Sequence, residues 1–515
     1  MSRKSAHVLI FLCAVLMLAG DVLSETYVSR LPNHAGYHLV SVDDALPAAL
    51  RAPSVRPRHT VLVVIDGLRL DLATTMASVQ RLRAEGQCRR TDVGPLSVSR
   101  PVYAVMSTGL EQDRTGSRNN DDQSPLAAES IWQVARQAGL RVVGTSELPW
   151  FQQLFPSGFD SYQLVQRAQD HFTAAESELG DLALIHPIYV DEAGHDFGGS
   201  SPSYAANVAR ADAELGRLLD RLDLRRDLVV LTADHGHTDR GGHGAGSDEV
   251  AQVLTCFGGH GVRRSADTKG FESRLIAPTL AVLLQVPFPR NLRAGEDSLD
   301  LLWEIADPGV YPAAYLAERR LAIEHFRAVN GEALGRWLRR AGPGTWSELY
   351  SSAHDGQLER GLVAVTALVV IGALLRRRFW PARPLFFVAW FIALCLAMAA
   401  VYSLLSGSFD LNSINARNQF IKRGALAALP VGALGMLVHF LIWRNPVEMV
   451  GDQVRFCLIL FGLNLVHIAA FGWPLGFPLP GRVPIFLPFI GGLFQVSQSL
   501  LAMLAVMRLG SRRRL

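Results

Sequence analysis

The apolar residues of this 515-residue chain are concentrated in its last third, and this partition constrains the fold more than any other feature. Apolar stretches of 15 to 25 residues lie at 361–375, 384–405, 424–443, 456–473 and 483–507. About 20 apolar residues in a helix span the hydrocarbon core of a bilayer. We therefore expect an all-α transmembrane domain over residues 358–515, with about five helices.

A shorter apolar segment, residues 8–20, follows Arg3 and Lys4 near the N terminus. Its length is nearer to the core of a signal peptide than to a full membrane span. Signal peptides end in two small residues, one apart, before the cleaved bond. Cleavage near Ser24, with Val22 and Ser24 as these two residues, would make residues 1–24 a signal peptide. Retention would make the same residues an N-terminal anchor, and in either case the segment exports the domain on its C-terminal side.

The basic residues near the apolar stretches predict the orientation in the membrane. If every stretch spans, one side carries Arg3, Lys4, residues 376–378, Arg444, Arg455, Arg508 and residues 512–514. The other side carries Arg417, Lys422, Arg423 and Arg482. Because basic loops remain in the cytoplasm, we expect an integral membrane protein with residues 58–357 outside the cytoplasm and the C terminus inside.

Residues 58–305 have the pattern of an α/β domain. Continuous runs rich in Val, Leu and Ile lie at 59–65, 140–144, 182–189 and 228–232, and helical patterns at 130–138 and 204–222 lie between them. Such runs are typical of parallel strands buried on both faces. We predict a doubly wound sheet, whose sites form outside the carboxyl ends of the strands, and a linker over residues 306–357.

Reactive side chains follow these runs directly. They are Asp66 after the first run, Asp191 and His195 after the third, and Asp234, His235 and His243 after the fourth. Taken singly, such an aspartate is often a helix cap and such a histidine a structural residue. Together they form a carboxylate and imidazole set that suits zinc or a similar ion. Six ligands are more than one tetrahedral ion can bind, so two ions are implied. Pairs of metal ions are typical of enzymes that catalyse phosphoryl transfer.

A candidate nucleophile lies in the segment PLSVSRPVYAVMSTGL, residues 95–110. Pro101 falls in the first turn of a predicted helix and leaves Ser99 beside the N-terminal N–H groups, which favour a phosphate. A serine hydroxyl next to a metal ion is a competent nucleophile. The alternative interpretation is that Ser99 only caps the helix.

Charge and cysteine content exclude other classes. The formal net charge of +3 is too balanced for binding to a phosphate backbone, so no nucleic-acid polymer is expected as a partner. The cysteines have no CxxC or zinc-ribbon spacing, and no disulfide framework is implied. The sequence leaves undecided whether Cys88 and Cys256 form a disulfide bond, which a domain outside the cytoplasm would permit.

The motifs V-V-I-D-G-L-R, S-R-P…T-G, D-x-x-x-H, D-H-G-H and G-G-H-G follow one another between residues 58 and 305. In this order they resemble the alkaline phosphatase superfamily, and within it the nucleotide pyrophosphatase/phosphodiesterase branch and the GPI ethanolamine phosphate transferases. The resemblance implies that Ser99 is the nucleophile and that Asn120, or the neighbouring Asn119, holds a phosphate oxygen. It also implies one ion on Asp66, Ser99, Asp234 and His235, and another on Asp191, His195 and His243. We expect Zn²⁺ from the imidazoles, with Mn²⁺ as the alternative.

Departures from the family patterns narrow the reaction. Ser99 is followed by Arg100-Pro101-Val102-Tyr103, which lacks the x-P-x-R that sulfatases need. No obvious counterpart exists for the arginine with which alkaline phosphatases bind a terminal phosphate, which favours diesters. The topology resembles that of the GPI transferases, although they have many more spans.

Three functions remain open from the sequence. The first is a two-metal enzyme at the outer membrane surface that acts through a phosphoserine on a lipid or lipid-linked phosphodiester, by hydrolysis or by phosphoethanolamine-type transfer. The second is a membrane-anchored nucleotide pyrophosphatase/phosphodiesterase. The third is a membrane scaffold or transporter with an inactive outer domain, which the complete ligand set argues against.

Overall fold

The structure is a computed structural model that describes residues 3–29, 56–324, 381–407, 417–471 and 483–511, and single residues within 361–372. Within the second range, the description leaves out residues 118–119, 121–122, 167–169, 177–178, 245, 267–268, 291 and 293–299. The chain divides into two compact units. The helical unit comprises Met1–Leu31 and Leu349–Leu515, and the α/β unit comprises Pro32–Glu348.

The α/β unit is built on one eight-stranded sheet with the order β4-β3-β5-β1-β6-β7-β2-β8. The strands are β1 Thr60–Val64, β2 Gly86–Asp92, β3 Val142–Ser146, β4 Ser161–Leu164, β5 Leu182–His186, β6 Leu228–Thr232, β7 Gln252–Gly259 and β8 Phe271–Glu272. Every residue of β1, β3, β5 and β6 is buried, because these apolar strands are covered on both faces. The predicted α/β fold is confirmed.

One strand departs from the predicted parallel sheet. β7 runs antiparallel to both of its neighbours, β6 and β2. The only helix described in the connection from β6 to β7 is Asp248–Ala251, with four residues. Such a helix rises only about 6 Å, so it does not carry the chain back along the sheet to start another parallel strand. The sheet is therefore mixed.

Helices connect the strands and carry part of the site. They are Leu70–Ala73, Ala77–Ala84, Ser99–Thr108, Ile131–Gln137, Trp150–Leu154, His171–Glu176, Tyr189–Phe197, Pro202–Arg221, Asp248–Ala251, Ile276–Leu283 and Asp300–Ile305, with a further helical stretch at 313–324. Short 3₁₀ turns lie at Gln112–Arg114 and Ser273–Leu275. The Ser99–Thr108 helix has Pro101 in its first turn and ends at Gly109, whose φ of +75° suits glycine.

A disulfide bond joins Cys88 of β2 to Cys256 of β7. The two residues are direct partners in the antiparallel register, with Cα atoms 4.0 Å apart. The bridge that the sequence left open is therefore present. Its partners are 168 residues apart, and their pairing depends on the order of the strands in the sheet.

The helical unit contains the helices Arg3–Ser29, Pro384–Ser406, Arg417–Trp443, Pro446–Phe471 and Val483–Ser511. Among the described residues, four segments are long and apolar enough to cross a membrane: Pro384–Ser406, Ile421–Trp443, Pro446–Val466 and Ile490–Leu509. The predicted span at 361–375 lies largely outside the described residues. An α/β domain is thus followed by apolar helices, as predicted.

The helix that contains the fourth apolar stretch starts before residue 456. The helix begins at Pro446, and Arg455, which was predicted to belong to a loop, lies inside it. Asp452 pairs with both Arg455 and His439, and the His439 Nε2 to Asp452 Oδ2 distance is 2.8 Å. Because the charges are paired with one another, the helix accommodates them within an otherwise apolar bundle.

The N-terminal apolar segment packs inside the helical unit. Cys13 and Leu16 are buried in a cluster that includes Phe494. A Cβ atom on Gly20 would lie 2.7 Å from the carbonyl oxygen of Gly492, so the two helix backbones approach closely there. The segment therefore forms part of the helical core.

Candidate metal centre

Three adjacent parallel strands end at one edge of the sheet, where the candidate site lies. β1 pairs in parallel with both β5 and β6. Asp66 follows β1, Asp191 lies in the Tyr189–Phe197 helix after β5, and Asp234 follows β6. The strand order thus brings together three carboxylates that are distant in the sequence.

The first group of candidate ligands consists of Asp66, Ser99, Asp234 and His235. His235 Nε2 lies 3.4 Å from Asp66 Oδ1 and 3.3 Å from Asp234 Oδ2. Ser99 Oγ lies 3.2 Å from the same nitrogen. His235 Nδ1 lies 3.1 Å from the Gly236 carbonyl oxygen, which orients the ring and leaves Nε2 facing the group.

The second group consists of Asp191, His195 and His243. Asp191 and His195 lie one helical turn apart on the same face, with Oδ2 and Nε2 3.2 Å apart. His243 Nε2 lies 3.3 Å from His195 Nε2 and 3.9 Å from Asp191 Oδ1. His243 Nδ1 donates to the Ser97 carbonyl oxygen at 2.6 Å, which turns Nε2 into the group.

The spacing of these atoms fits divalent cations. Two ligand atoms at about 2.0–2.1 Å from a tetrahedral zinc ion lie about 3.3–3.4 Å apart. Most of the distances above are 3.2–3.4 Å. The buried Asp66 Oδ1 and Asp234 Oδ2 have no hydrogen-bond partner in the described part of the chain, as expected of oxygens that bind a cation. The donor set therefore fits divalent metal binding.

The electrostatics of the site also favour cations. Burial, together with the negative charge of Asp191, raises the pKa of Asp66 well above its usual range. Burial and the charge of Asp66 raise the pKa of Asp234 to about 7. Burial and the neighbouring His235 lower the pKa of His243 well below its usual value, so this imidazole is neutral. Clustered carboxylates and imidazoles form an environment in which a divalent cation is stabilised.

Ser99 does not cap its helix. It is the first helical residue, and the residue at the cap position is Val98, which has no side-chain hydrogen-bonding group. The Ser99 side chain is 3% exposed and its hydroxyl lies against His235 Nε2. The capping interpretation is therefore wrong, and the hydroxyl lies at the candidate centre.

Asn120 lies beside the start of the same helix. Its Oδ1 accepts a hydrogen bond of 2.9 Å from the backbone N–H of Arg100, and its Nδ2 lies 3.5 Å from Ser99 Oγ. The alternative, Asn119, lies outside the described residues. The amide N–H groups of Asn120 are thus directed towards the candidate nucleophile.

Ser97, another hydroxyl residue of this loop, has a different environment. Its Oγ accepts hydrogen bonds from the backbone N–H groups of Gly244 and Gly246, at 2.9 and 3.3 Å. Its carbonyl oxygen accepts from His243. Ser97 therefore connects the loop before Ser99 to the loop that carries His243.

Sequence reasoning missed His237, which belongs to the same D-H-G-H motif as His235. Its Nε2 lies 2.8 Å from Asp191 Oδ1, and with Asp191 and His195 it forms a further group of side chains that could hold a metal ion. A Cβ atom on Gly194 would lie 2.4 Å from the His237 ring, so only glycine leaves room there. The second histidine of the motif was a signal that could have identified it.

The α/β unit matches known phosphodiesterases in sequence. Residues 60–246 match the family model described as type I phosphodiesterase/nucleotide pyrophosphatase. The catalytic subunit of human GPI ethanolamine phosphate transferase 3 is 26% identical over 337 residues, covering 56% of this chain and 31% of that protein. The mouse protein is 26% identical over 282 residues, covering 47% of this chain and 26% of that protein.

A solved structure of human ectonucleotide pyrophosphatase/phosphodiesterase 5 is also similar, with 13% identity and a TM-score of 0.40, over 48% of this chain and 100% of that chain. The family model and the relatives confirm the resemblance predicted from the motifs. Residues 60–246 are thus similar to the type I phosphodiesterase/nucleotide pyrophosphatase family, and a longer part of the chain is similar in sequence to the GPI ethanolamine phosphate transferases. The chain spans between about a quarter and a third of the length of these relatives.

Proposed function

We propose that this protein is a two-metal phosphoryl-transfer enzyme that acts on a phosphodiester at a membrane, by phosphoethanolamine-type transfer or by hydrolysis. The observation that carries the proposal is the Ser99 hydroxyl, 3.2 Å from His235 Nε2 in a buried group of candidate ligands. The match of residues 60–246 to a phosphodiesterase family supports it. Zinc is the proposed ion, with manganese as the alternative.

The proposed reaction proceeds through a phosphoserine. Ser99 Oγ gives up its proton and attacks the phosphorus atom, the bond from phosphorus to the leaving oxygen breaks, and the leaving group takes up one proton and departs as an alcohol. An acceptor hydroxyl, or water in the case of hydrolysis, then loses its proton and attacks the same phosphorus atom; the bond from phosphorus to Ser99 Oγ breaks and Ser99 regains a proton. The candidate ligands of the two groups would hold the ions, which when bound would lower the pKa of the Ser99 hydroxyl and stabilise charge on the phosphoryl oxygens. Asn120 Nδ2 donates a hydrogen bond to one of those oxygens.

The proposed substrate is a lipid or lipid-linked phosphodiester. The relatives are transferases of ethanolamine phosphate, and this chain has four described segments that could cross a membrane. One span is enough to anchor a domain, so we propose that several spans hold the site at a lipid head group or present a lipid acceptor. The complete set of candidate ligands disfavours an inactive scaffold.

A panel of head-group-labelled lipid diesters and nucleotide diesters tests the substrate class. We expect the full-length protein, purified in lipid nanodiscs, to turn over lipid diesters with a higher kcat/KM than nucleotide diesters. A Ser99→Ala preparation is the control for contaminating activity. Faster turnover of nucleotides would replace the lipid proposal by the second candidate, a nucleotide pyrophosphatase/phosphodiesterase, which the family description favours.

We propose that the α/β unit lies outside the cytoplasm and the C terminus inside. Disulfide bonds persist mainly in oxidising compartments, so the Cys88–Cys256 bridge supports this orientation. The basic residues near the spans support it as well, provided that the stretch at 361–375 also crosses the membrane. The burial of Cys13 and Leu16 within the helical unit supports retention of the N-terminal segment as an anchor.

Reporter fusions test the orientation. We expect a fused alkaline phosphatase, which is active only outside the cytoplasm, to be active after residue 300 and inactive after residue 515. A reporter that is active only in the cytoplasm should give the opposite pattern at the same positions. Absence of phosphatase activity at residue 300, or its presence at residue 515, would refute the orientation.

Removal of the Asn120 amide should slow the reaction without preventing it. We expect Asn120→Ala to lower kcat by about 10- to 1000-fold, as for the loss of one hydrogen-bond donor to a developing oxyanion. Asn207→Ala is a matched control, because its Nδ2 donates to the Ser203 carbonyl oxygen within the Pro202–Arg221 helix. Unchanged kcat in Asn120→Ala would remove Asn120 from the proposed mechanism.

A further inference from the structure

A buried chain of hydrogen bonds leads from two other strands to Asp66. The backbone N–H of Leu148 lies 3.2 Å from Ser146 Oγ, which lies 2.9 Å from His186 Nδ1. His186 Nε2 lies 2.9 Å from the Tyr103 hydroxyl, and this hydroxyl hydrogen-bonds to Asp66 Oδ2. The side chains of Ser146, His186, Tyr103 and Asp66 are all buried. These hydrogen bonds thus connect the ends of β3 and β5 to the carboxylate that follows β1.

The protons in this chain can be arranged so that every link is satisfied. The Leu148 N–H donates to Ser146 Oγ, which leaves the serine O–H able to donate to His186 Nδ1, and we take this direction for the bond. The imidazole proton is then on Nε2 and is donated to the Tyr103 oxygen. The phenolic proton is left for Asp66 Oδ2. If every bond ran the other way, the Tyr103 hydroxyl would donate to His186 Nε2. Asp66 Oδ2 would then receive no hydrogen bond from Tyr103.

The two oxygens of Asp66 therefore have different environments. Oδ2 accepts from Tyr103 and lies 3.2 Å from His186 Nε2. Oδ1 has no hydrogen-bond partner among the described residues and lies 3.4 Å from His235 Nε2, in the first ligand group. Hydrogen bonds to one oxygen fix the plane of the carboxylate and direct the other oxygen into the group.

Tyr103 also connects Asp66 to the candidate nucleophile. It follows Ser99 by four residues in the Ser99–Thr108 helix, so both side chains lie on the same face, one turn apart. The Tyr103 ring stacks on Phe151 with centroids 4.3 Å apart, which restricts its rotation. The Tyr103 hydroxyl thus links Asp66 to the helix that begins with Ser99.

We infer that Tyr103, supported by His186 and Ser146, is a positioning residue that orients Asp66 for metal binding and aligns Ser99 with it. This inference rests on the proposed function of Asp66 and Ser99. Tyr103 acts through Asp66, so its loss should weaken metal binding and lower kcat while KM changes little.

Metal affinity of the full-length protein tests the inference directly. We expect Tyr103→Phe, which removes only the hydroxyl, to weaken zinc affinity about 10- to 100-fold in a chelator competition. Tyr315→Phe is the matched control, because it removes a buried hydroxyl that donates instead to the Val282 carbonyl oxygen at 2.7 Å. This control should keep the zinc affinity of the wild-type protein. Unchanged affinity in Tyr103→Phe would overturn the inference.

A double substitution tests whether His186 acts through Tyr103. We expect Tyr103→Phe combined with His186→Gln to bind zinc about as weakly as Tyr103→Phe alone, because both changes interrupt one chain. If the two substitutions weaken zinc affinity by fully additive amounts, the proposed chain of hydrogen bonds from His186 through Tyr103 is refuted. Because zinc affinity is measured without substrate, these outcomes are separate from those of the substrate panel, which bears on the proposed function.

Discussion

Replacement of Ser99 by alanine should abolish turnover. We expect kcat to fall by about 10⁴-fold or more, as for the removal of a nucleophile in a covalent mechanism. Asp66, Asp234 and His235 remain as ligands in this variant, so part of the metal should stay bound. Acid quenching of the wild-type reaction with a ³²P-labelled diester should trap a labelled protein, and the Ser99→Ala protein should carry no label.

A second serine of the same helix provides the control. The Ser107 hydroxyl accepts a hydrogen bond from Trp132 Nε1 at 2.9 Å, away from the ligand groups, so Ser107→Ala should keep its turnover and its label. Normal activity in Ser99→Ala would show that the assigned nucleophile is wrong. Ser97 would then be the next residue to test, although its Oγ already accepts two backbone N–H groups.

Loss of a single ligand should remove metal and activity together. We expect elemental analysis of the full-length protein to give about two equivalents of metal, mostly zinc. Asp234→Ala affects the first group and His243→Ala affects the second, so each variant should retain about one equivalent or less. Activity should be lost in both, while circular dichroism shows that the fold survives.

Residues of the same types outside the groups serve as controls. Asp220, whose side chain is 67% exposed, pairs with Arg81, and the ring of His260 bonds to the Arg225 carbonyl oxygen. Asp220→Ala and His260→Ala should therefore keep both metal and activity. Full activity in Asp234→Ala or in His243→Ala would remove that residue from the site.

The sequence was most informative about the residues that follow buried strands. Apolar runs were recognisable as β1, β5 and β6 because strands covered on both faces exclude polar residues. Parallel strands end at one edge, so Asp66, Asp191 and Asp234 could be expected to lie close together, and the structure places them so. Their roles as ligands stay predictions until the metal content is measured.

Other features were hidden because they depend on partners that are distant in the chain. β7 has no sequence mark of its antiparallel direction, and the Cys88–Cys256 pairing depends on that direction. The start of the helix at Pro446 was missed because the pairing of Asp452 with Arg455 and His439 is a tertiary contact. A hydropathy pattern counts such charges as the end of a span.

The sequence by itself determined the four strands that are buried on both faces, most of the apolar helices and the side chains that follow those strands, because hydrophobic periodicity and strand ends are local properties. Only the tertiary structure decided which of those side chains meet and which atom of each faces the centre. Asp66 shows the difference: its position after β1 can be read from the sequence, but the direction of its two oxygens depends on Tyr103 and His186, which arrive from other elements. The physical reason is that a hydrogen bond or a metal ligand needs a defined distance and angle, and these are set by how the elements pack.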